Sequence, residues 1–516
     1  MSWVSWLAPV LSLAGIALAA IKWLRVAQRE HYLAGSIVFM RRVWIAARPV
    51  NALEAVMLAG ALVGYALAPD SFWPLVGCVG MAIFPLGLGY RGRTSPLNWT
   101  ARLRRTAIVG AIVLGLATAL LGRMITLVLG WGWPGALSMA AVVSWYAIPD
   151  LVLWVAAPIE RRLSQKFVVR ATGTLRRVAP VVVGITGSYG KTSTKWYVRD
   201  LVTGTRRVVA SPASFNNRLG LARAINETLT DDTEVFVAEM GAYQPGEIAD
   251  TCSWIPPGIA VLTAIGPVHL QRFKSEERII EAKSEIFERA GVAIINVDHP
   301  ALADLAGSMG DRKVWRCGTS EKATDVRVRQ NGHLLTIVLH DRALGDPIPA
   351  GPFPANLACA VAVALELGVP PGAVSDRAGR LAPTDHRQAT GRSQAGFEVI
   401  DDTFNSNPAG AARALGVLMS AGVSQGRRAV VTPGMVELGP QQHDANRRFA
   451  AAAAEVADHL VIVGRANRRA LLHGARGGSA EVTLVDNREQ AVGWVREHLA
   501  AGDAVLYEND LPDHYP

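Results

Sequence analysis

The chain has 516 residues, room for about three domains. Half of its residues are hydrophobic and 18% are charged, below the roughly 25% of an ordinary soluble domain, which excludes a single small water-exposed module. Residues 1–177 hold 18 Lys and Arg against 5 Asp and Glu, so the net charge of +9 arises in the hydrophobic third; a basic, apolar segment suits a bilayer surface rather than nucleic acid.

A bilayer-crossing helix takes about 20 mostly apolar residues. Residues 3–21 and 71–90 contain no charge, 49–69 contain only Glu54, and 106–158 is long enough for two crossings despite Arg123 and Asp150. The spacing predicts a transmembrane domain of about five helices over residues 1–177. Six basic residues in 22–48, five in 91–105 and six in 160–177 alternate with ends nearly free of them. Because Lys- and Arg-rich loops stay in the cytoplasm, the amino terminus is expected outside and everything after Ile159 inside. Trp3, Trp6, Trp131 and Trp133 then fall at the outer interface. Glu54 and Asp150 lie near cytoplasmic ends, which favours interfacial placement over a transport path.

From residue 181 the pattern changes to short β-branched runs alternating with amphipathic helices, an α/β signature. Predicted strands cover 181–185, 207–210, 235–238, 259–263 and 292–296, with helices starting near Lys191, Leu219 and Ser275. A strand pair, 325–329 and 334–340, turns through Asn331-Gly332, a hairpin signal. A second, Rossmann-like unit begins near His386, with strands at 398–400, 428–432, 459–463, 482–485 and 504–507. With a hinge at Pro383, the expected domains are 178–383 and 384–516. Cys78, Cys252, Cys317 and Cys359 lack CxxC or Cys/His spacing, so unpaired thiols are expected rather than a zinc site or disulfides.

The strongest local signal is Gly184-Ile185-Thr186-Gly187-Ser188-Tyr189-Gly190-Lys191-Thr192, after a strand and opening a helix. Backbone N–H groups of such a turn cradle phosphates, a lysine at the helix start reaches the β/γ-phosphates, and the next hydroxyl holds Mg²⁺. The generic pattern asks for Gly where Ile185 stands, so an ordinary glycine-rich turn stays open as the alternative.

With Ser193 and Thr194 added, this spacing resembles the Mur ligase family. The same order continues through residues 214–220 (SFNNRLG), Glu239-Met240-Gly241-Ala242, Gly266-Pro267-Val268-His269, Ala282-Lys283-Ser284-Glu285 and Asn296-Val297-Asp298. Residues 401–408 (DDTFNSNP) and Glu437-Leu438-Gly439 resemble the branch that adds D-alanyl-D-alanine to UDP-N-acetylmuramoyl-tripeptide. The resemblance covers roughly residues 178–516 and implies an α/β P-loop ATPase domain followed by the Rossmann-like domain, behind an α-helical transmembrane region.

The resemblance implies that Gly187, Ser188, Gly190, Lys191, Thr192 and Ser193 bind ATP phosphates, with Asn356 beside adenine, Asp402 on the ribose, and Asn407 and Arg387 closing over nucleotide and acyl phosphate. Thr192, Glu239, His269 and a carbamylated Lys283 would hold Mg²⁺ in two sites. Lys191, Lys283, His269 and Arg387 would serve catalysis. Taken alone, each has a plainer reading: Glu239 as a strand-end surface carboxylate, His269 as a structural histidine, Lys283 as one ion-paired member of a solvated Glu-rich helix face, and Asp402 and Asn407 as turn residues. The family's His-Asn pair before Asn356 is replaced by Pro352-Phe353, which puts the adenine contacts in question.

The implied activity is ATP-dependent amide-bond formation in peptidoglycan synthesis at a bacterial cytoplasmic membrane. Its partners would be a soluble or lipid-linked muropeptide acceptor and D-alanyl-D-alanine, joined through an acyl phosphate. A poly-γ-glutamate synthetase is the nearest enzyme alternative, and a non-catalytic, membrane-bound nucleotide-binding scaffold the alternative of another class. The family's uridine-binding domain has no room before Val181. The expectation is therefore that substrate grip lies elsewhere, with the basic loop 91–105 available for phosphates, or that the spans are only an anchor.

Overall fold

The computed structural model describes residues 3–68, 72–92, 96–381, 389–404, 406–422 and 426–516. The hydrophobic third forms helices α1 (Trp3–Arg29), α2 (Ser36–Ala47), α3 (Ala52–Leu67), α4 (Trp73–Ile83), α5 (Ala101–Leu129), α6 (Trp133–Ala147) and α7 (Pro149–Val178). Trp23, Met40, Trp44, Met81 and Val142 pack as their shared core, while Leu116, Leu120 and Leu127 of α5 point outward and stay exposed.

Among the described residues, three helical stretches are long and apolar enough to cross a bilayer, Val10–Arg29, Pro49–Leu67 and Ala101–Leu129. The count is four if the pair of α6 and α7, bent by 65°, is taken as one crossing. The expectation of about five also counted stretches whose helices here are shorter. At 1.5 Å per residue the 11-residue α4 is only about 17 Å long, short of the roughly 30 Å hydrocarbon core, and α6 has 15 residues. Two of the basic segments, 22–48 and 91–105, meet at one end of the bundle. Gln28 donates to the Asn98 carbonyl at 2.7 Å, and the Asp150 carboxylate accepts from the N–H groups of Gly35, Ile37 and Val38 at 2.8–3.2 Å. Asp150 therefore serves the orphan donors at the start of α2. The side chains of Trp3, Trp6 and Glu54 lie outside the described residues.

Helix α7 leaves this bundle and enters the next domain. Arg105 Nη2 donates to Glu160 Oε2 at 2.7 Å, tying α5 to its first half. In its second half Val168, Ala171 and Leu175 form a helical stripe buried with Leu221 and Ile225 of the helix Arg218–Thr228 and Leu229 just after it.

The central domain is one sheet of ten strands: β1 (Val181–Thr186), β2 (Val208–Ala210), β3 (Val235–Glu239), β4 (Ile259–Leu262), β5 (Val292–Asn296), β6 (Lys313–Gly318), β7 (Val326–Asn331), β8 (Leu334–Leu339), β9 (Arg342–Ala343) and β10 (Ile348–Pro349). Their order is β10-β8-β7-β6-β5-β4-β1-β3-β2, with β9 on β8. The predicted hairpin is β7–β8, Asn331 facing Leu334 across the turn, and β6 joins it to the parallel core. Strand β6 escapes the pattern because Lys313 and Arg316 interrupt its apolar residues. The carboxyl-terminal domain is a second sheet, β11 (Ala389–Arg392), β12 (Glu398–Asp402), β13 (Arg428–Thr432), β14 (His459–Val463), β15 (Glu481–Val485) and β16 (Ala504–Glu508), in the order β11-β12-β16-β13-β14-β15. The expected hinge at Pro383 lies outside the described residues. The four cysteines are free and buried.

Candidate functional site

Open α/β sheets gather ligands beyond the carboxyl ends of their strands, and the glycine loop lies there, between β1 and the helix Lys191–Val202. Gly190 has φ +84°, and a Cβ there would stand 2.4 Å from Asn356 Oδ1. Only glycine allows that turn and that approach. The loop is braced by Tyr189 Oη donating to the Ile265 carbonyl at 2.9 Å and by Ser188 Oγ, 3.2 Å from the Gly266 carbonyl. Lys191 Nζ folds back to donate to the Gly187 carbonyl at 2.6 Å. Thr192 and Ser193 are buried in the first helical turn, where Ser193 Oγ has no hydrogen-bond partner.

Glu239, the last residue of β3, is 1% exposed, so it is no surface carboxylate. Lys195 Nζ donates to its Oε2 and Asn216 Nδ2 to its Oε1, both at 3.1 Å. Burial opposes the charge, but Lys195, then Lys191 and Asn216, outweigh it and hold the carboxyl below the usual range. Lys195 was missed in the sequence. The available signal was its i+4 position after Lys191, which puts both ammonium groups on one helix face.

Lys283 lies in the helix Glu276–Ser284 and is 2% exposed, which overturns the solvated-face reading. Burial, then the nearby Lys191, push its amine well below the ordinary lysine range. Neighbouring Glu285 faces elsewhere, accepting from the N–H groups of Gly246 and Ala249 at 2.6 and 2.9 Å.

His269 sits in the left-handed region, φ +63°, ahead of the helix Leu270–Phe273. Its Nδ1 is hydrogen-bonded to Glu437 Oε2 from the carboxyl-terminal domain, itself left-handed at φ +64°. Burial disfavours the Glu437 carboxylate, yet the His269 hydrogen bond and Arg272 bring its pKa down to about 2. Tyr243 packs edge-on to His269, ring centroids 5.0 Å apart.

Across from the glycine loop, a cavity of about 180 Å³ opens between the two α/β domains, lined by Tyr189, Gly190, Ser193, Asn356, Asp402 and Asn407, with Phe353 and Arg413. The Arg413 guanidinium lies 3.7 Å from the centroid of the Phe353 ring. Asn407 also plays its plainer part, its Oδ1 accepting from Gly410 N at 3.0 Å to cap the helix Pro408–Ser420. Arg387 lies outside the described residues. A larger cavity, about 350 Å³, lies elsewhere, between Arg25, Trp44 and Arg48 and the carboxyl-terminal strand ends. Several of its charges are paired within its own wall, Arg25 with Asp513 at 3.6 Å and Arg488 with Asp510 at 2.6 Å.

Among the described residues no three His, Cys, Asp or Glu converge on one ion position. That suits Mg²⁺, which keeps waters and substrate phosphates and takes only one or two protein carboxylates.

A phosphate loop, an oriented carboxylate at the adjacent strand end and a cavity shared with a second α/β domain fit a two-domain, ATP-using ligase. The comparisons agree. A family model described as the Mur ligase middle domain matches residues 185–363, and one described as the Mur ligase glutamate ligase domain matches residues 386–507. The UDP-N-acetylmuramoyl-tripeptide--D-alanyl-D-alanine ligase of Mycobacterium leprae is 32% identical over 372 residues, covering 63% of this chain and 70% of that protein. The ligase of the same description from Bacillus subtilis is 27% identical, covering 66% and 75%. Among solved structures, MurF from Acinetobacter baumannii superposes with a TM-score of 0.58 at 25% identity over 67% of this chain and 78% of that one. The chain belongs to the Mur ligase family, and it is an ATP-dependent, ADP-forming amide ligase.

Proposed function

We propose that the chain adds D-alanyl-D-alanine to a UDP-N-acetylmuramoyl-tripeptide or a related muropeptide, working from the cytoplasmic face of a bacterial inner membrane in which its helical region is embedded. The observation that carries the chemistry is Lys191 near the Lys195-held Glu239, with its neighbours Gly190 and Ser193 lining a cavity shared by both α/β domains. The relatives described above support the substrates. The alternating basic loops and the three long apolar helices support the placement.

An amide forms once the acceptor carboxylate carries a leaving group. Its oxygen attacks the γ-phosphorus of ATP, ADP departs, the amine of D-alanyl-D-alanine attacks the acyl carbon, and phosphate leaves. Lys191 offsets charge on the transferring phosphoryl group. Asn356 and Asp402 face the adenosine side of the cavity, where Phe353 and Arg413 stand near the family's missing His-Asn pair. Asn407 closes from the carboxyl-terminal domain and helps exclude water from the acyl phosphate, a part that the family resemblance also gives to Arg387. Thr192, Glu239 and His269 would hold Mg²⁺, which supplies further charge neutralisation at the phosphates. The buried Lys283 favours the neutral amine, the form that adds CO₂ with loss of a proton to give a carbamate anion, a ligand for a second Mg²⁺. The acceptor is either soluble or lipid-linked, with the loop 91–105 available for its phosphates.

The test is ADP release on feeding the purified protein candidate tripeptide acceptors with D-alanyl-D-alanine. Lys191→Ala is expected to lower turnover by roughly 10²- to 10³-fold, the loss typical of one positioned charge. Unchanged turnover in that variant would sink the assignment.

A further inference from the structure

The turn that follows α1 reaches the ligase site. Glu30, 6% exposed on its side chain, accepts from Arg272 Nη2 at 2.6 Å through Oε2. The same Arg272 nitrogen donates to Glu437 Oε1 at 3.0 Å, and Glu437 Oε2 holds His269 Nδ1. One guanidinium nitrogen thus spends its two hydrogens on two carboxylates, one from the helical region and one from the carboxyl-terminal domain. Next to Glu30, His31 Nε2 lies 3.0 Å from Tyr243 Oη, with the rings stacked at 5.0 Å. The other Glu30 oxygen is 3.0 Å from His514 Nε2.

The backbone marks the same place. Ten non-glycine residues among those described have positive φ, and four of them, His31, Tyr32, His269 and Glu437, belong to this turn or its partners. Such strain persists where surrounding structure over-determines it, and it clusters at working sites. Both family models lie within residues 185–507, so Glu30 falls outside the part of the chain they describe.

We propose that Glu30 is a positioning residue of the ligase: through Arg272 it holds Glu437, and with Glu437 the imidazole of His269, so the helical region completes the catalytic centre. This rests on His269 serving the reaction proposed above. A carboxylate behind a ligating histidine sets its tautomer and orientation, and losing an outer partner of this kind typically costs about 10- to 100-fold in activity or metal affinity. Without Glu30, Arg272 can swing away from Glu437 and the imidazole loses its register.

The experiment uses the full chain in detergent or nanodiscs and compares Glu30→Gln, Glu30→Asp, His514→Gln and Lys191→Ala. Glu30→Gln is expected to lower kcat by about 10- to 100-fold with the KM for ATP little changed, and to weaken Mn²⁺ binding in the presence of ADP, read by electron paramagnetic resonance. Glu30→Asp should recover part of both, and His514→Gln, which changes the contact on the other oxygen and the packing on Tyr515, should leave kcat near the parent. Parental kcat and Mn²⁺ binding in Glu30→Gln, with Lys191→Ala inactive, would overturn this proposal while leaving the ligase reading intact. So would an equal loss in His514→Gln, since docking alone would then explain it. An active Lys191→Ala would instead remove the reading on which it rests.

Discussion

Lys283 follows Glu276, Glu277 and Glu281 in a helix whose composition suggests a row of solvated ion pairs, but the fold turns this one residue inward against the phosphate loop. A buried amine whose pKa burial and Lys191 push well below the ordinary lysine range suits carbamylation better than a surface lysine does. Lys283→Ala is therefore expected to be nearly inactive, with a loss of roughly 10²-fold or more, and added short carboxylates should restore part of the activity by occupying the vacated anionic position. Turnover followed with and without acetate or formate checks it; full activity without added carboxylate would return Lys283 to a structural role. At this scale the legible residues are those whose chemistry is contiguous in the chain, Gly187 to Ser193. Lys195 and Asn216 were passed over because their partner Glu239 is 44 and 23 residues away. Glu30 lies 242 residues before Arg272, and no local pattern announces a contact of that span.

Among the elements, β16 ends in a carboxyl group that the carboxyl-terminal sheet buries completely. Glu508 accepts from Thr432 Oγ1 at 2.8 Å and from Ser406 Oγ, and burial raises its pKa to about 7 despite both hydrogen bonds. With the folded value above the unfolded 4.5, the native state binds the extra proton between these values, so stability falls as pH rises from about 4.5 to about 7 and stays lower beyond. Glu508→Gln mimics the protonated form. It is expected to match the parent at pH 4 and to exceed it by at most about 3 kcal/mol at pH 9, measured by denaturant unfolding of the carboxyl-terminal transition. The strands themselves are mostly legible: 292–296, 428–432 and 459–463 coincide with observed elements, because continuous apolar runs suit strands buried on both faces. Strand β11 is not, since Ala389–Arg392 contains Gly391 and no apolar run.

For the whole molecule, orientation is the testable quantity. Reporter fusions after Tyr90 and Arg177 are expected to report cytoplasm and one near residue 69 the opposite side; an external signal after Arg177 would contradict both orientation and ATP use. A chain starting near Thr172 should be inactive toward soluble and lipid-linked acceptors alike. It lacks Val168 and Ala171 of the central core as well as Glu30, and kcat/KM measured on both acceptors would register the loss. Composition alone locates the helical region, while the bounds of its helices are less legible: within the apolar stretch 71–90, α4 covers only Trp73–Ile83.

Helix α7 joins these parts as a shaft. Its 30 residues run about 45 Å, clamped to the bundle at Glu160 and to the central core from Val168 onward. Each added residue would turn whatever lies beyond it by about 100° and lift it by about 1.5 Å. The angular phase of this one helix thus decides whether Arg272 meets Glu30. One residue inserted after Ser164 would rotate the crevice away from the turn after α1. An insertion of about seven would restore the phase while raising the crevice by about 10 Å, leaving Glu30 too short to reach. The ligase is in this sense a machine with a set stroke height: its distance from the bundle is written in helical turns rather than in any flexible tether.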